Sequence, residues 1–274
     1  DFCLSRGLGD VYKRQPMNTT GYLGSIPASR PRIFAHRGLT FQSGKQVVDE
    51  NTIDSFDLAL AAGADYLETD LQLSKDGIPV LFHDSDLSRL VGSKKLISTL
   101  TLDELKRIRL PFGGEIPTLQ EALEKFPSAK FNLDFKTPST ESPGMAVIAA
   151  TAAFERVLVS SFSESSRIRA LAHSPVNLAS SAGSSKVLAS YTFARLGLTK
   201  QLASSLETVH ALQIPTKMYG IDFTHPRFVE AVLNQDKEIH YWTINDPNEM
   251  VSLFAIGAHG IVTDRTDIAT KVFS

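Results

Sequence analysis

The chain has 274 residues, of which 42% are hydrophobic, and this size suits one large α/β-barrel domain or two smaller domains. Its 28 basic and 30 acidic residues leave a net charge of −2, so charge does not favour nucleic acid or an anionic membrane as the main partner. Cys3 is the single cysteine, which excludes a disulfide framework and a cysteine-based metal site, and no apolar run of about 18 residues predicts a membrane-spanning segment.

The first 30 residues are predicted to lie outside the folded domain. Residues 1–16 show no clear hydrophobic period, and Met17 is a candidate native start that a polar, Gly- and Ser-containing stretch follows. The segment lacks the apolar run and the small-residue cleavage site of a signal peptide. We therefore expect a disordered or extraneous tail over 1–30 and a single domain over 31–274. The scarcity of cysteine is compatible with a reducing compartment, so we expect a cytoplasmic protein.

Short β-like runs alternate with helix-like runs through the rest of the chain. The candidate strands are Arg32–His36, Tyr66–Gln72, Pro79–His83, Lys130–Lys136, Arg156–Ser161, Asn177–Ser181, Val209–Ile214, Ile239–Asn245 and Gly260–Asp264. Helix start signals lie between them, with capping boxes at Thr101 and Thr118 and a proline directly after Asp246. This alternation predicts a parallel sheet, and its length favours a closed (β/α)₈ TIM-type barrel.

One candidate strand is too many for an eight-stranded barrel. The step from Asp70 to His83 is too short for a crossover helix, and the turn at Lys75-Asp76-Gly77 predicts a hairpin-like excursion. The interval 84–117 contains one clear helix signal. We therefore predict a small insertion after the third strand, over the barrel mouth.

Two of the strands carry alternating polar side chains, which face one side of a strand while the apolar ones face the other. These polar rows are Glu68, Asp70 and Gln72 on one strand and Asn132, Asp134 and Lys136 on the other. Inward-facing polar residues at the carboxyl ends of barrel strands are where barrel enzymes build their active sites.

The acidic members of these rows predict a cation site. Glu68 and Asp70 place two like charges within one strand, which repel unless a cation or an arginine lies between them, and Asp134 can add a third oxygen. An all-oxygen ligand set suits Mg²⁺ or Ca²⁺ and not Zn²⁺. The alternative is a pair of acids at a solvated strand end.

Two histidines end apolar β-runs near these acids. Histidine is the side chain whose ordinary pKa lies near neutral pH, so this pair, His36 and His83, suits one base and one acid in phosphoester cleavage, although a lone histidine is more often a hydrogen-bonded core residue. Arg37 follows His36 and has the planar fork that suits phosphate oxygens, or it could pair with Glu50.

Four further residues complete the candidate site. We expect Glu50 to orient the arginine, and either Asn51 or Thr52 to cap the following helix. Lys136 can hold an anionic oxygen or pair with a neighbouring acid. Trp242, the only tryptophan, could line a pocket or belong to the core.

The motifs together resemble the glycerophosphodiester phosphodiesterase family over about residues 32–268. The motifs that carry the resemblance are His36-Arg37-Gly38, Glu50-Asn51, Glu68-Thr69-Asp70, Lys75-Asp76-Gly77-Ile78-Pro79-Val80 and His83-Asp84. Weaker matches follow at Ile116–Leu119, Asn132–Lys136, Ser160–Phe162, Trp242–Asn245 and Gly260–Asp264.

The resemblance implies a TIM-type barrel that hydrolyses glycerophosphodiesters to sn-glycerol 3-phosphate and an alcohol, with a bound divalent cation. The implied roles are an acid/base pair (His36, His83), a substrate- and phosphate-binding group (Arg37, Lys136, Trp242), metal ligands (Glu68, Asp70, Asp134) and supporting residues (Glu50, Asn51). The family usually has Glu where Asp134 stands. Because Asp is one methylene shorter, the cation or the backbone must shift, or a water must bridge.

Other functions remain open at this stage. A lysophospholipase D acting on lipid diesters would be favoured by a hydrophobic mouth near 84–115, for which the candidates are Leu87, Leu90, Val91, Leu96 and Ile97. A non-catalytic phosphate-binding barrel and a sugar-phosphate isomerase or lyase are further alternatives. The expected partner is a small-molecule diester, with no nucleic acid and no integral membrane segment, and a homo-oligomer is left open.

Overall fold

The computed structural model describes residues 21–24 and 30–274. Parallel strands form a ring, and we number them β1 to β8 in chain order: Arg32–His36, Tyr66–Leu73, Lys130–Phe135, Val157–Ser160, Ala179–Ser180, Ala211–Ile214, Glu238–Tyr241 and Gly260–Thr263. Each pairs in parallel with the next, and β8 pairs with β1. A single parallel bridge between Ser181 and Ala211 closes the ring between β5 and β6. The predicted TIM-type barrel is confirmed.

Helices cover the outside of the ring, one or two after each strand. They are Ile53–Ala61, Leu119–Lys125, Glu141–Ala150, Glu164–Ala172, Ser184–Leu196, Thr199–Leu206, Pro226–Leu233, Pro247–Ala255 and Thr266–Val272. The start signals act as predicted: Thr118 forms a capping box with Glu121, and the Asp246 carboxylate accepts hydrogen bonds from two backbone N–H groups of the helix that follows it. Thr52, not Asn51, caps the first helix.

The apolar rows of the strands face these helices. Leu67, Leu71, Phe131 and Leu133 are fully buried in an outer core with the helices that follow β1 to β4. A second outer core lies behind β5 to β8. A separate apolar cluster fills the interior of the ring toward the amino-terminal ends of the strands: Tyr22, Leu23, Phe34, Tyr66, Leu158, Ala179 and Val262. The polar rows therefore occupy the interior toward the carboxyl ends of the strands.

The extra candidate strand lies outside the ring. Pro79–Leu81 pairs antiparallel with β2, as the turn after Leu73 predicted. The insertion follows this third strand in the chain and precedes the helix of the second barrel unit. It contains the antiparallel strands Asp86–Leu87 and Ser93–Leu96 and the short helices Ser88–Val91, Ile97–Thr99 and Leu102–Lys106.

Short elements complete the connections. Two hairpins pair Phe41–Gln42 with Lys45–Gln46 and Lys217–Met218 with Ile221–Asp222. Single 3₁₀ turns occur at Pro138–Thr140 and Phe154–Arg156. Within residues 21–24 and 30–274, none of the helices has the length and the apolar character that a membrane crossing requires.

Part of the predicted tail belongs to the core. Tyr22 and Leu23 are 1% and 3% exposed, and the Tyr66 hydroxyl donates a 2.8 Å hydrogen bond to the Tyr22 carbonyl. Lys130 Nζ donates to the carbonyl of Gly21 at 2.9 Å. The prediction of a tail is therefore wrong for this segment, because its apolar side chains close the amino-terminal end of the barrel. Residues 1–20 and 25–29 of the predicted tail lie outside the described residues.

Candidate active site

A cavity of about 440 Å³ lies at the carboxyl ends of the barrel strands. Eight of the ten predicted site residues line it: His36, Arg37, Glu68, Asp70, His83, Asp134, Lys136 and Trp242. Glu50 and Asn51 lie behind this wall and contact its members. The structure thus brings together residues that are up to about 200 positions apart in the chain, as parallel strands of a closed barrel require.

Each of the two histidines is held by a carboxylate at the same ring nitrogen. His36 Nδ1 lies 2.6 Å from Asp264 Oδ1, and His83 Nδ1 lies 2.7 Å from Asp84 Oδ1. A hydrogen bond from Nδ1–H to a carboxylate fixes the ring and leaves Nε2 as the nitrogen for proton transfer. Burial opposes protonation of His36, but the hydrogen bond to Asp264 and the charge of Glu68 outweigh it and raise the pKa of His36.

The turn after β1 brings the arginine into the site. Arg37 has φ +58° and Gly38 has φ +80°, so the chain reverses sharply after His36. A Cβ on Gly38 would lie 2.3 Å from the Ser55 hydroxyl, so only glycine fits this approach to the first helix. The backbone N–H of Arg37 donates to Glu68 Oε2 at 3.0 Å. The turn therefore binds a site carboxylate while presenting the guanidinium.

A network of ion pairs links the arginine to the insertion. Arg37 Nη1 donates to Glu50 Oε1 at 3.1 Å, which is the contact expected of Glu50. Arg89, in helix Ser88–Val91, donates to Glu50 Oε2 at 2.9 Å and from Nε to Asp84 Oδ2 at 2.6 Å. Arg89 of the insertion thus contacts both Glu50, the partner of Arg37, and Asp84, the partner of His83.

The three predicted metal ligands are buried side by side. Asp70 and Asp134 are in register on β2 and β3, and Lys136 Nζ lies 2.8 Å from Asp70 Oδ1 and 2.6 Å from Asp134 Oδ2. Burial works against ionisation of Asp70, but Lys136, Arg37 and His83 together lower its pKa. Burial raises the pKa of Asp134 despite the same ammonium.

Glu68 carries the least compensated negative charge of the site. Burial, followed by the charge of Asp70, raises its pKa to about 7. Within the described residues, no group of three His, Cys, Asp or Glu side chains is arranged to hold a metal ion, and the Lys136 ammonium lies between the two aspartates. The donor set still fits a hard cation, because it offers buried oxygen atoms and a carboxylate that a nearby positive charge would stabilise.

The segment 84–115 does not supply the hydrophobic mouth that would favour a lysophospholipase D. None of the five candidate residues lines the cavity, and Leu87 and Ile97 are buried in a separate core of the insertion. An apolar wall exists on the opposite side, in the segments around β5 and β6. Its members include Val187, Leu188, Ile214, Met218, Ile221 and Phe223. Trp242 also lines the cavity and packs against Phe162 with ring centroids 5.8 Å apart.

Several residues of the site were not assigned a role from the sequence, among them Asp264, Asn245 and Arg89. Asp264 and Asn245 act together, since Asn245 Nδ2 donates to Asp264 Oδ2 at 2.8 Å while Asp264 holds His36. Asp264 directly follows the apolar run of β8, so the strand-end signal that identified His36 and His83 could have found it. Arg89 has no such local signal, because its partners depend on the fold of the insertion.

The fold and the site together define a TIM barrel with a cavity at the carboxyl ends of its strands that is lined by two histidines, an arginine, a lysine and three carboxylates. A profile of the glycerophosphoryl diester phosphodiesterase family matches residues 36–268. The chain belongs to this family, and the resemblance seen in its motifs is confirmed.

Similar proteins support the same assignment. The chain is 32% identical over 238 residues to the probable glycerophosphodiester phosphodiesterase 2 of Mycobacterium tuberculosis. The alignment covers 87% of this chain and 89% of that protein. It is also 32% identical to a glycerophosphodiester phosphodiesterase of Bacillus altitudinis, with 88% and 97% covered. A solved phosphodiesterase of Oleispira antarctica in complex with the product sn-glycerol-3-phosphate superposes with a TM-score of 0.71 at 26% identity, covering 89% and 96% of the two chains.

Proposed function

We propose that the protein hydrolyses glycerophosphodiesters to sn-glycerol 3-phosphate and an alcohol, with His36 and His83 as the proton-transfer groups and with a bound Mg²⁺ or Ca²⁺. One observation carries the proposal: two imidazoles, each held at Nδ1 by a carboxylate, line the same cavity as a guanidinium, an ammonium and three buried carboxylates. The names of the relatives are consistent with this reaction.

The site residues have three roles in phosphodiester hydrolysis: proton transfer, charge stabilisation and orientation. One imidazole removes the proton of the attacking oxygen and the other protonates the leaving alkoxide, which requires one neutral and one protonated ring. Arg37 and Lys136 carry positive charge toward the phosphoryl oxygens and stabilise the charge that develops on them. Asp264 and Asp84 keep the two rings oriented through the reaction.

Glu68, Asp70 and Asp134 would hold the divalent cation, whose chemistry is that of a Lewis acid toward a phosphoryl oxygen. Such a cation would compensate the charge of Glu68 and share the two aspartates with Lys136. Cytoplasmic location stays a prediction, and a homo-oligomer stays an open alternative.

The proposal is tested by the release of sn-glycerol 3-phosphate from glycerophosphocholine with Mg²⁺, with Ca²⁺ and with EDTA. We expect EDTA to abolish turnover, and His36→Ala or His83→Ala to lower kcat by at least about 10²-fold because a proton-transfer step is lost. His173→Ala, at an exposed histidine, is the matched control. A fully active His83→Ala enzyme would contradict the assignment.

A second candidate substrate is a lysolipid diester, and the apolar wall favours it. Leu188 lines the cavity and is half-exposed, so an acyl chain can cover it. The test compares turnover of lysophosphatidylcholine and glycerophosphocholine by Leu188→Ser and by Leu196→Ser, whose leucine lies on the same helix away from the cavity. Lipid use predicts that Leu188→Ser alone loses activity, and only toward the lysolipid.

A further inference from the structure

A chain of polar side chains crosses the interior of the barrel beneath the cavity. Glu238 and His240 lie on β7, and His240 Nε2 is 2.9 Å from Glu238 Oε2. Gln213 Nε2, on β6, is 3.3 Å from His240 Nδ1, and Asn132 Nδ2, on β3, is 3.2 Å from Gln213 Oε1. Glu238, His240 and Asn132 are at most 3% exposed. The proposed hydrolysis gives none of the four a task, although Asn132 and Gln213 line the cavity.

The ionised carboxylate of Glu238 sets the direction of every hydrogen bond in this chain. Arg32 Nη2 lies 2.8 Å from Glu238 Oε1. Burial opposes ionisation, but the hydrogen bond from His240 and the charge of Arg32 lower the pKa of Glu238. A carboxylate only accepts, so His240 donates from Nε2. Burial lowers the pKa of His240, and Nδ1 of the neutral ring accepts from the amide of Gln213. The carbonyl oxygen of Gln213 then accepts from the amide nitrogen of Asn132.

With the hydrogen bonds running in this direction, the acceptor at the cavity end of the series has no donor among the described residues. Asn132 Oδ1 is buried and has no hydrogen-bond partner within the part of the chain that the structure describes. A buried acceptor without a donor destabilises a fold, so a ligand that supplies the donor binds favourably there. The oxygens of an ionised phosphodiester or carboxylate carry no hydrogen, whereas a hydroxyl group can donate one. The register pairs Asn132 with Glu68, so this acceptor lies beside one of the carboxylates that line the cavity.

We propose that Asn132 Oδ1 accepts a hydrogen bond from a hydroxyl group of the substrate's glycerol moiety, and that Glu238, His240 and Gln213 hold its amide in that orientation. Asn132 is then a specificity residue, and the other three are positioning residues. This inference rests on the proposed function, because it takes glycerol phosphate as the group that the site binds.

The test measures binding, so it does not depend on turnover. Calorimetry compares sn-glycerol 3-phosphate with methyl phosphate, which lacks both glycerol hydroxyls. The wild-type protein is expected to bind sn-glycerol 3-phosphate about tenfold more tightly, and Asn132→Leu is expected to bind the two ligands within about twofold of each other. Ser160→Ala is the control, because Ser160 also lines the cavity but its hydroxyl already donates to the Leu133 carbonyl at 3.1 Å.

Two further variants test the positioning chain. In Glu238→Gln the side chain can donate as well as accept, so the chain can run in either direction and the Asn132 amide is no longer fixed. Gln213→Met interrupts the chain one step below Asn132. Both are expected to lower the preference for sn-glycerol 3-phosphate without changing the affinity for methyl phosphate. Thermal unfolding of each variant shows whether the fold is retained, and Gln213→Met serves if Glu238→Gln does not fold.

Three results would overturn the inference. They are a wild-type protein with no preference between the ligands, an Asn132→Leu variant that weakens both ligands equally, and an Asn132→Leu variant that keeps the preference but loses Mg²⁺ binding. A wild-type protein that prefers sn-glycerol 3-phosphate yet hydrolyses no diester would support this inference while contradicting the proposed function.

Discussion

At the scale of single residues, the sequence identifies the groups that end strands and misses those that depend on distant contacts. His36, Glu68 and Asp70 lie on β1 and β2, so strand alternation alone places them on the inner face. Asn132 also lies in a polar row, but its link to Gln213 joins strands 81 residues apart and needs the closed ring. The local sequence pattern predicts which face of a strand a side chain occupies, whereas its hydrogen-bond partners follow only from the tertiary structure.

Arg89 gives the clearest prediction at this scale. It contacts Glu50 and Asp84, the two carboxylates that hold Arg37 and His83. We expect Arg89→Met to lower kcat/KM by about tenfold, because both site groups lose part of their orientation. Its stability should change by less than about 1 kcal/mol, since the Arg89 side chain is 43% exposed.

The control for this prediction is Arg107→Met, which removes an exposed ion pair with Asp103 in the same insertion. Steady-state kinetics measure kcat/KM of both variants, and denaturant unfolding measures their free energies of unfolding. An Arg89→Met enzyme with unchanged kcat/KM would show that the insertion does not act on the site.

At the scale of elements, helix starts and strand order were predictable, and connections were less so. The capping boxes at Thr101 and Thr118 form as the sequence indicates, because the signals are local. Residues 182–208 are rich in Ser and Ala and have no clear hydrophobic period, yet they contain two helices, Ser184–Leu196 and Thr199–Leu206, that share a core with β6. The sequence predicts a tail at Tyr22 because too few apolar residues surround this position in the chain.

Tyr22 tests the importance of that segment. Its ring packs against Tyr66 with centroids 4.9 Å apart, and its hydroxyl is buried without a hydrogen-bond partner among the described residues. Tyr22→Ala is expected to lower the free energy of unfolding by about 3–5 kcal/mol through the cavity it leaves. Tyr22→Phe, which keeps the ring and removes only the unpaired hydroxyl, should be neutral or stabilising.

Urea unfolding of the two variants beside the wild-type protein measures this difference. Equal stability of Tyr22→Ala and the wild type would mean that the barrel end is closed without this segment.

At the scale of the whole molecule, the fold class could be predicted because regular alternation over most of the chain permits few architectures. The sequence could not specify how the barrel interior is filled. A ring of alternating strands can hold either apolar or ionisable groups at its amino-terminal end, and here β7 and the loop before β8 supply Glu238, His240 and His259. Glu238 and His240 are buried and His259 is half-buried, and these groups make stability depend on pH.

Two histidines at this end of the barrel, His240 and His259, make the stability of the fold depend on pH. Burial lowers the pKa of His259 to about 4, and it lowers that of His240 despite the hydrogen bond to Glu238. From about pH 6.5 down to 4 the unfolded chain therefore binds protons that the folded protein does not. The corresponding stability is present above pH 6.5 and is lost as the pH falls, by about 1.4 kcal/mol per pH unit for a fully shifted group.

His259→Gln is expected to lose less stability than the wild type between pH 6.5 and 5, measured by urea unfolding at each pH. His173→Gln, at an exposed position, should follow the wild-type curve. Parallel curves for His259→Gln and the wild type would exclude this histidine as a source of acid sensitivity.

The closing bridge of the ring has a mechanical consequence. β2 and β3 share six registered pairs, whereas β5 and β6 meet through the Ser181–Ala211 bridge alone. Thermal fluctuations should separate the strands there first. Because Ser181 and Ala182 also line the cavity, separation of β5 from β6 would widen the cavity on that side.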